Sequence, residues 1–299
     1  MRLHVVHETR YDYAPAVQSA RHLAHLRPCS REGQRVLRHR LAIEPGADER
    51  SEGADVFGNL RCFFALQRPH ERLRVVADSV VDTAPVQVPT GSPAWDEVRE
   101  RLRYRRGAPC DLAAEFAHAS PYVPRHADFV AYARPSFPPG RPLLQAAREL
   151  ASRIHQDFAY VSAATDASTP ALQALALRKG VCQDFAHVML GCLRSLGLAA
   201  RYVSGYLLTE PPPGQPRLVG SDASHAWVSV YLPEPKGPGT WVGLDPTNDR
   251  PAGEDYVILA VGRDYFDVSP LRGVLEGGDH HVLRVAVTVT PLIDGAMTE

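Results

Sequence analysis

The first eighty residues alternate. Over residues 2–6, 36–43, 60–66 and 73–81, apolar and β-branched side chains recur at every second position, the period at which a strand turns successive side chains to opposite faces. Glu44-Pro45-Gly46 and Asp55-Val56-Phe57-Gly58-Asn59 punctuate the runs with turn chemistry. The pattern predicts an antiparallel β domain over residues 1–83, arranged as a small sandwich.

The period then breaks. Residues 83–91 and 136–142 are rich in proline and glycine, and 94–104 and 112–118 read as short helices between them. Residues 84–140 are therefore expected to be a connector that packs on its neighbours. From residue 141 a helical period takes over, first across 143–157, followed by a short extended piece at Phe158-Ala159-Tyr160-Val161. Ser168-Thr169-Pro170 reads as a helix start with a capping hydroxyl, and Gly180 as the stop of that helix after Lys179.

A second helix must then begin almost at once. Phe185, Val188, Met189, Cys192, Leu193 and Leu196 recur by threes and fours before Gly197, which predicts a helix whose first turn holds Cys182 on the inward side. Strands follow at 200–208, 224–232 and 240–245. In the middle one, Ala226, Val228, Val230 and Leu232 form the core face, while His225, Trp227, Ser229 and Tyr231 face a side that a helix could cover, bringing Cys182 close. Residues 141–275 make up this second unit. Residues 282–289 alternate with no partner nearby in sequence, so 276–299 is expected to return a strand to the N-terminal β domain.

Candidate chemistry gathers at three points. The loop 233–239 is rich in proline and glycine and predicts a hairpin. With Leu232 opposite Thr240, His225 falls near Thr247 and one diagonal step, about 7 to 8 Å, from Asp245. Cys182 at a helix N-terminus beside an imidazole is the setting that lowers a thiol pKa from about 8.5 to roughly 3.5 to 7.5. Nucleophile Cys182, base His225 and orienting Asp245 together predict acyl chemistry. The backbone N–H of Cys182 is one oxyanion donor; Tyr160, Gln173 and Gln183 remain open as the second. Asp184 is read as favouring the helix dipole, and Trp227 as a packed aromatic that walls the cleft.

Composition narrows the partners. The 299 residues carry 33 basic against 34 acidic side chains, for a net charge of −1, so neither nucleic acid nor an anionic membrane is expected as a partner. The N-terminus lacks an apolar leader and no stretch approaches the ~20 apolar residues of a membrane helix, which predicts a soluble, cytoplasmic protein. Cys29, Cys62, Cys110, Cys182 and Cys192 are odd in number and lack CxxC spacing, which predicts neither a disulfide framework nor a structural zinc site. No cofactor or metal is expected. A zinc set of Cys182, His187, Cys192 and His225 is the competing reading of the same residues.

Three ordered blocks carry a resemblance. Gly180 to His187 with Leu190, then Ala200-Arg201-Tyr202-Val203-Ser204-Gly205-Tyr206 and Asp222-Ala223-Ser224-His225-Ala226-Trp227-Val228, then Trp241-Val242-Gly243-Leu244-Asp245-Pro246-Thr247-Asn248, resemble the bacterial transglutaminase-like proteins, often called cysteine proteases. The first eighty residues are similar to the β region that precedes the bacterial core. The resemblance implies an α+β fold, a papain-like core of helices packed on an antiparallel sheet, with Cys182, His225 and Asp245 as its triad. It implies a peptide or amide substrate, proteins included, cleaved through an acyl-enzyme. It also admits transfer to an amine by a transglutaminase, and a non-catalytic binding module on the same fold.

Overall fold

In the computed structural model, residues 1–85, 88–107, 111–162, 164–209, 224–234, 237 and 239–292 are described. The chain begins with β1 (Arg2–Arg27), β2 (Gln34–Glu44), β3 (Glu49–Ala54), β4 (Leu60–Leu66) and β5 (His70–Thr83). Helices α1 (Trp95–Leu102), α2 (Ala127–Ala133) and α3 (Leu143–Asp157) follow, then β6 (Ala159–Tyr160), α4 (Ala171–Leu177), β7 (Lys179–Gly180) and α5 (Cys182–Ser195). The rest is β8 (Ala200–Leu207), β9 (Ser224–Leu232), β10 (Thr240–Asp245), β11 (Arg250–Pro251), β12 (Tyr256–Gly262), α6 (Tyr265–Val268), β13 (Leu271–Gly277) and β14 (His280–Pro291).

The spine of the N-terminal region is β1, 26 residues long where the pattern had suggested five. Its extent is hidden in sequence because buried His7 and Thr9 occupy the apolar phase set by Leu3 and Val5. β5 and β14 flank its first half and β4 and β13 its second. The pairing with β5 breaks between Asp12 and Val17, around Pro15, which has no N–H to give a ladder. The strands expected to form a sandwich are joined in one hydrogen-bonded, seven-stranded sheet, all of it linked through β1. β3, wholly exposed and without apolar alternation, is held by its ladder to β4 and by side-chain bonds such as Arg27 to Glu52 and Arg50 to the Leu41 carbonyl.

β13 lies in this sheet as well, not with the strands of the 141–275 unit to which its sequence position had assigned it. β14 pairs with β1 from Leu3↔Pro291 to Ala14↔His280. It buries Val287 and Val289, side chains worth about 1.5 to 3 kcal/mol each when fully buried.

The second layer system is built on α5. Its apolar residues pack with those of α1, α2, α3 and α4 against Ala226, Val228 and Val230 of β9. Those strands form an antiparallel sheet in the order β11-β10-β9-β8-β12. The two regions meet where Tyr206, Val257 and Leu259 enter the apolar cluster of Leu3, Val5 and Val75. Among the described residues no helix is long and apolar enough to cross a membrane.

The boundary before α5 differs in detail from the sequence reading. α4 ends at Leu177 and the turn is taken by Arg178 in the left-handed region, φ 52°. The hydroxyls of Ser168 and Thr169 do not cap α4; both bond Asp166. Gly180 sits instead in β7, parallel to β6, because the chain there passes against Asp184: a Cβ at Gly180 would lie 2.7 Å from the Cβ of Asp184.

Candidate active site

The first turn of α5 is fastened from inside. Asp184 Oδ2 accepts the Val181 N–H at 2.8 Å and the Thr165 hydroxyl at 2.7 Å, satisfying a backbone donor that an open helix end would leave unpaired. Burial raises the Asp184 pKa, although the bonds from Thr165 and Val181 oppose it. Asp184 therefore holds the turn that carries Cys182, a more specific task than a favourable dipole. Cys182, half-buried, stands at the helix mouth.

The base side of the site comes from a hairpin. β10 pairs with β9 in the register Thr240↔Leu232 through Leu244↔Val228, the register read from the turn, and this brings the start of β9 to the end of β10. His225 Nε2 lies 2.6 Å from Asp245 Oδ2. Asp245 is fully buried, yet every lone pair has work. Oδ2 also accepts from the Tyr256 hydroxyl and the Asn248 amide, both at 2.7 Å, and Oδ1 from the backbone N–H groups of Thr247 and Asn248.

These contacts set the charges. Burial works to raise the Asp245 pKa but is outweighed by the hydrogen bond and charge of His225 and by Asn248 and Tyr256, which bring it to about 2. Burial likewise disfavours imidazolium at His225, and is outweighed by the hydrogen bonds of Asp245 and Cys182 and their charge, which lift it to about 10. An imidazole so placed carries its proton at neutral pH.

Cys182 and His225 line one cleft of about 230 Å3. They do not meet across the face that the strand phase had suggested. α5 covers the Ala226, Val228 and Val230 face of β9, while Trp227 packs with Val203, Tyr256 and Val261 on the other. α5 and β9 both begin at the same end of the layer, so thiol and imidazole meet around the strand's end.

The remaining candidates separate. Gln183 lines the cleft, with its amide donated to the Ala167 carbonyl at 3.0 Å. Tyr160 is exposed, edge-on to Phe185, and is not among the cleft residues; partial burial of its ring, with the charges of Cys182 and Asp184, raises its phenol. Gln173 is exposed on α4 and outside the cleft. Trp227 does not wall the cleft: its ring stacks on His225, centroids 6.1 Å apart, from the side away from α5. His187, five residues past the thiol and so off its face, is buried against Tyr122 and Tyr202. Burial pushes it down to about 3, and its Nε2 accepts the Tyr265 N–H. Among the described residues no cluster of three metal-ligating side chains occurs. Asp222 lies outside the described residues.

The sequence reading missed two contributions. Tyr256, on the strand that follows the β10–β11 hairpin, carries no local signal of its bond to Asp245. The N-terminal sheet supplies a wall of the cleft, with His7, Thr9 and Tyr11 from β1 and Leu283 and Val285 from β14. His7 bonds the Tyr206 hydroxyl and Thr9, and burial holds it neutral with a pKa of about 4.

A helix-borne cysteine facing a sheet-borne histidine and aspartate, behind an N-terminal β region, defines a class by fold. Residues 131–246 match the transglutaminase-like superfamily and residues 3–82 the bacterial transglutaminase-like N-terminal region. An uncharacterized protein of Mycobacterium tuberculosis is 43% identical across 99% of this chain and 95% of its own length. One of Mycobacterium leprae is 33% identical across 97% and 99%. The chain belongs to the bacterial transglutaminase-like family. Its fold is shared with a solved protein from Cytophaga hutchinsonii described as a "Putative Cysteine Protease", with a TM-score of 0.75 at 20% identity over 100% of this chain and 92% of that one. A protein-glutamine gamma-glutamyltransferase of Pseudomonas aeruginosa is 41% identical over 71 residues, 23% of this chain and 10% of that protein.

Proposed function

We propose that the protein is a thiol-dependent acyl-transfer enzyme that hydrolyses peptide or other amide bonds. The observation that carries this reading is the 2.6 Å contact of His225 with a saturated, buried Asp245, in a cleft that also holds a cysteine at a helix N-terminus. A buried carboxylate this completely bonded fixes the imidazole ring and its charge, the role of the third member of a triad.

The chemistry follows from the positions. Cys182 Sγ attacks the amide carbonyl carbon, a C–S bond forms, and the carbonyl electrons move onto oxygen, which the Cys182 backbone N–H stabilises. His225 gives its Nδ1 proton to the amide nitrogen as the C–N bond breaks, leaving a thioester on Cys182 and a free amine. Water then attacks the thioester and loses its proton to His225; the acid departs and the thiolate returns. Tyr11, Leu271, Leu283 and Val285 give the cleft an apolar rim, which favours acyl groups with apolar side chains.

A second reading sends the thioester to an amine instead of water, as in a transglutaminase; the short stretch of similarity to the Pseudomonas aeruginosa enzyme supports it. A binding module without catalysis has no use for the saturated His225–Asp245 contact. The four described cysteines are all free, which supports a reducing, cytoplasmic setting.

The deciding experiment offers a panel of peptide amides with and without a primary amine, following the acyl-enzyme by mass. Hydrolysis that vanishes in Cys182→Ala supports the proposal. Amine incorporation that outruns hydrolysis assigns the second reading, and a Cys182 that labels no faster than a free thiol removes both.

A further inference from the structure

A second cavity, of about 610 Å3, lies behind His225 and Asp245, between the N-terminal sheet and the face of the core sheet turned away from α5. Two arginines enter it. Arg201, from β8, lays its guanidinium 4.2 Å over the ring of Trp241, and its Nε is sealed from solvent with no hydrogen-bond partner. Arg31, from the turn before β2, has a buried Nε in the same condition. Among the described residues its Nη2 bonds the Cys29 sulfur, at 2.8 Å.

Neither guanidinium is paired with a carboxylate among the described residues. Glu32, the one acidic side chain among those lining the cavity, is exposed at its rim. Burial, with the like charge of Arg31 added to it, pushes the Arg201 pKa down to about 9, so the two cations share one hollow and oppose each other. The face of Trp241 accommodates part of this charge but accepts no N–H. Half-buried cations without a counter-charge are costly, and two guanidinium groups lining a common space offer the donors that oxyanions match. The volume lies within the range of small-molecule sites, about 300 to 1,000 Å3.

We propose that this cavity binds a small molecule bearing a carboxylate or phosphate group, its oxyanion held between Arg31 and Arg201 and its body against Trp241. The site is built into the back of the candidate triad. Trp227 and Tyr256 also line the cavity; the first stacks on His225 and the second bonds Asp245. An occupant therefore touches the two side chains that hold the base and its carboxylate in place.

Calorimetric titration of the intact chain with citrate and, separately, inorganic phosphate tests this, at constant ionic strength with chloride as reference. Saturable one-site binding of either probe is expected, weakened at least tenfold in Arg31→Gln and in Arg201→Gln; the probe that binds identifies the anion as carboxylate or phosphate. Because Arg201→Gln also removes the cation from Trp241, Arg31→Gln decides the matter if the first variant does not fold. No saturable binding of either probe, or binding that Arg31→Gln leaves within twofold, overturns the proposal. Neither readout depends on turnover, so the result stands apart from the acyl-transfer reading.

Discussion

Tyr256 donates its hydroxyl to the same Asp245 oxygen that holds His225, at 2.7 Å against 2.6 Å. The tyrosine lies on the strand after the hairpin, so the orientation of the His225 ring depends on a residue outside the three candidate blocks. A hydrogen bond to a charged group contributes about 1.5 to 3 kcal/mol. Tyr256→Phe is expected to lower kcat by roughly tenfold to a hundredfold at this energy with KM little changed. It also removes a bond that lowers the Asp245 pKa, so the acid limb of the pH profile should move to higher pH. An unshifted limb would show that Tyr256 serves packing alone.

The His225–Asp245 pair also makes stability depend on pH in a defined sense. His225 is raised from 6.5 to about 10, so its contribution is fully present below pH 6.5 and lost as pH rises through 10. Asp245 is lowered from 3.8 to about 2, so its contribution is present above pH 3.8 and lost as pH falls through 2. The two overlap fully between roughly pH 4 and 6.5. The melting difference between the wild type and His225→Gln should accordingly be largest near pH 6 and narrow toward pH 10. A difference that stays constant over that range would mean that the imidazole is not held charged.

Much of this site was legible because its signals are local. The period of β9 and the turn after it set the Thr240↔Leu232 register, and that register brings His225 to Asp245. Glycine and apolar spacing likewise placed the start of α5 at Cys182. What could not be read is long-range. His7 looks like a surface polar residue until its partner Tyr206, 199 positions away, is known. The covered face of β9 was misassigned because both faces are buried, one by helices and one by Tyr256 and its neighbours, and alternation distinguishes faces only when one of them is wet. Gly180 was read as a helix stop, a common use of glycine, when close approach to Asp184 is what requires it.

That approach gives a direct test of how Cys182 is positioned. Gly180→Ala puts a methyl 2.7 Å from the Asp184 Cβ, so the carboxylate must move and release the Val181 N–H. Overpacking of this kind costs about 1 to 3 kcal/mol. Melting should fall, and labelling of Cys182 by iodoacetamide at pH 7 should slow at least severalfold in the protein that remains folded. Asp184→Asn, which keeps the shape and an acceptor oxygen, should retain most of the labelling rate. Slowing in both variants to the same degree would trace the effect to the carboxylate's charge instead of to the turn.

The wall contributed by the N-terminal sheet predicts where substrate preference resides. Leu283 and Val285 share one face of β14, line the cleft beside Cys182, and remain about half exposed, at 48% and 50%. Buried neighbours further along the strand, Val287 and Val289, anchor β14 to β1, so the rim positions can be changed at little cost to the fold. An apolar substrate side chain resting on Leu283 gains about 25 cal/mol for each Å2 it buries, and a carboxylate in its place both loses that gain and must be desolvated. Leu283→Asp is expected to raise KM for peptides with apolar acyl side chains about tenfold, with kcat within threefold and iodoacetamide labelling of Cys182 unchanged, since 1.4 kcal/mol corresponds to a factor of ten. Equal loss for apolar and polar peptides would instead mean that β14 serves the cleft only as a support.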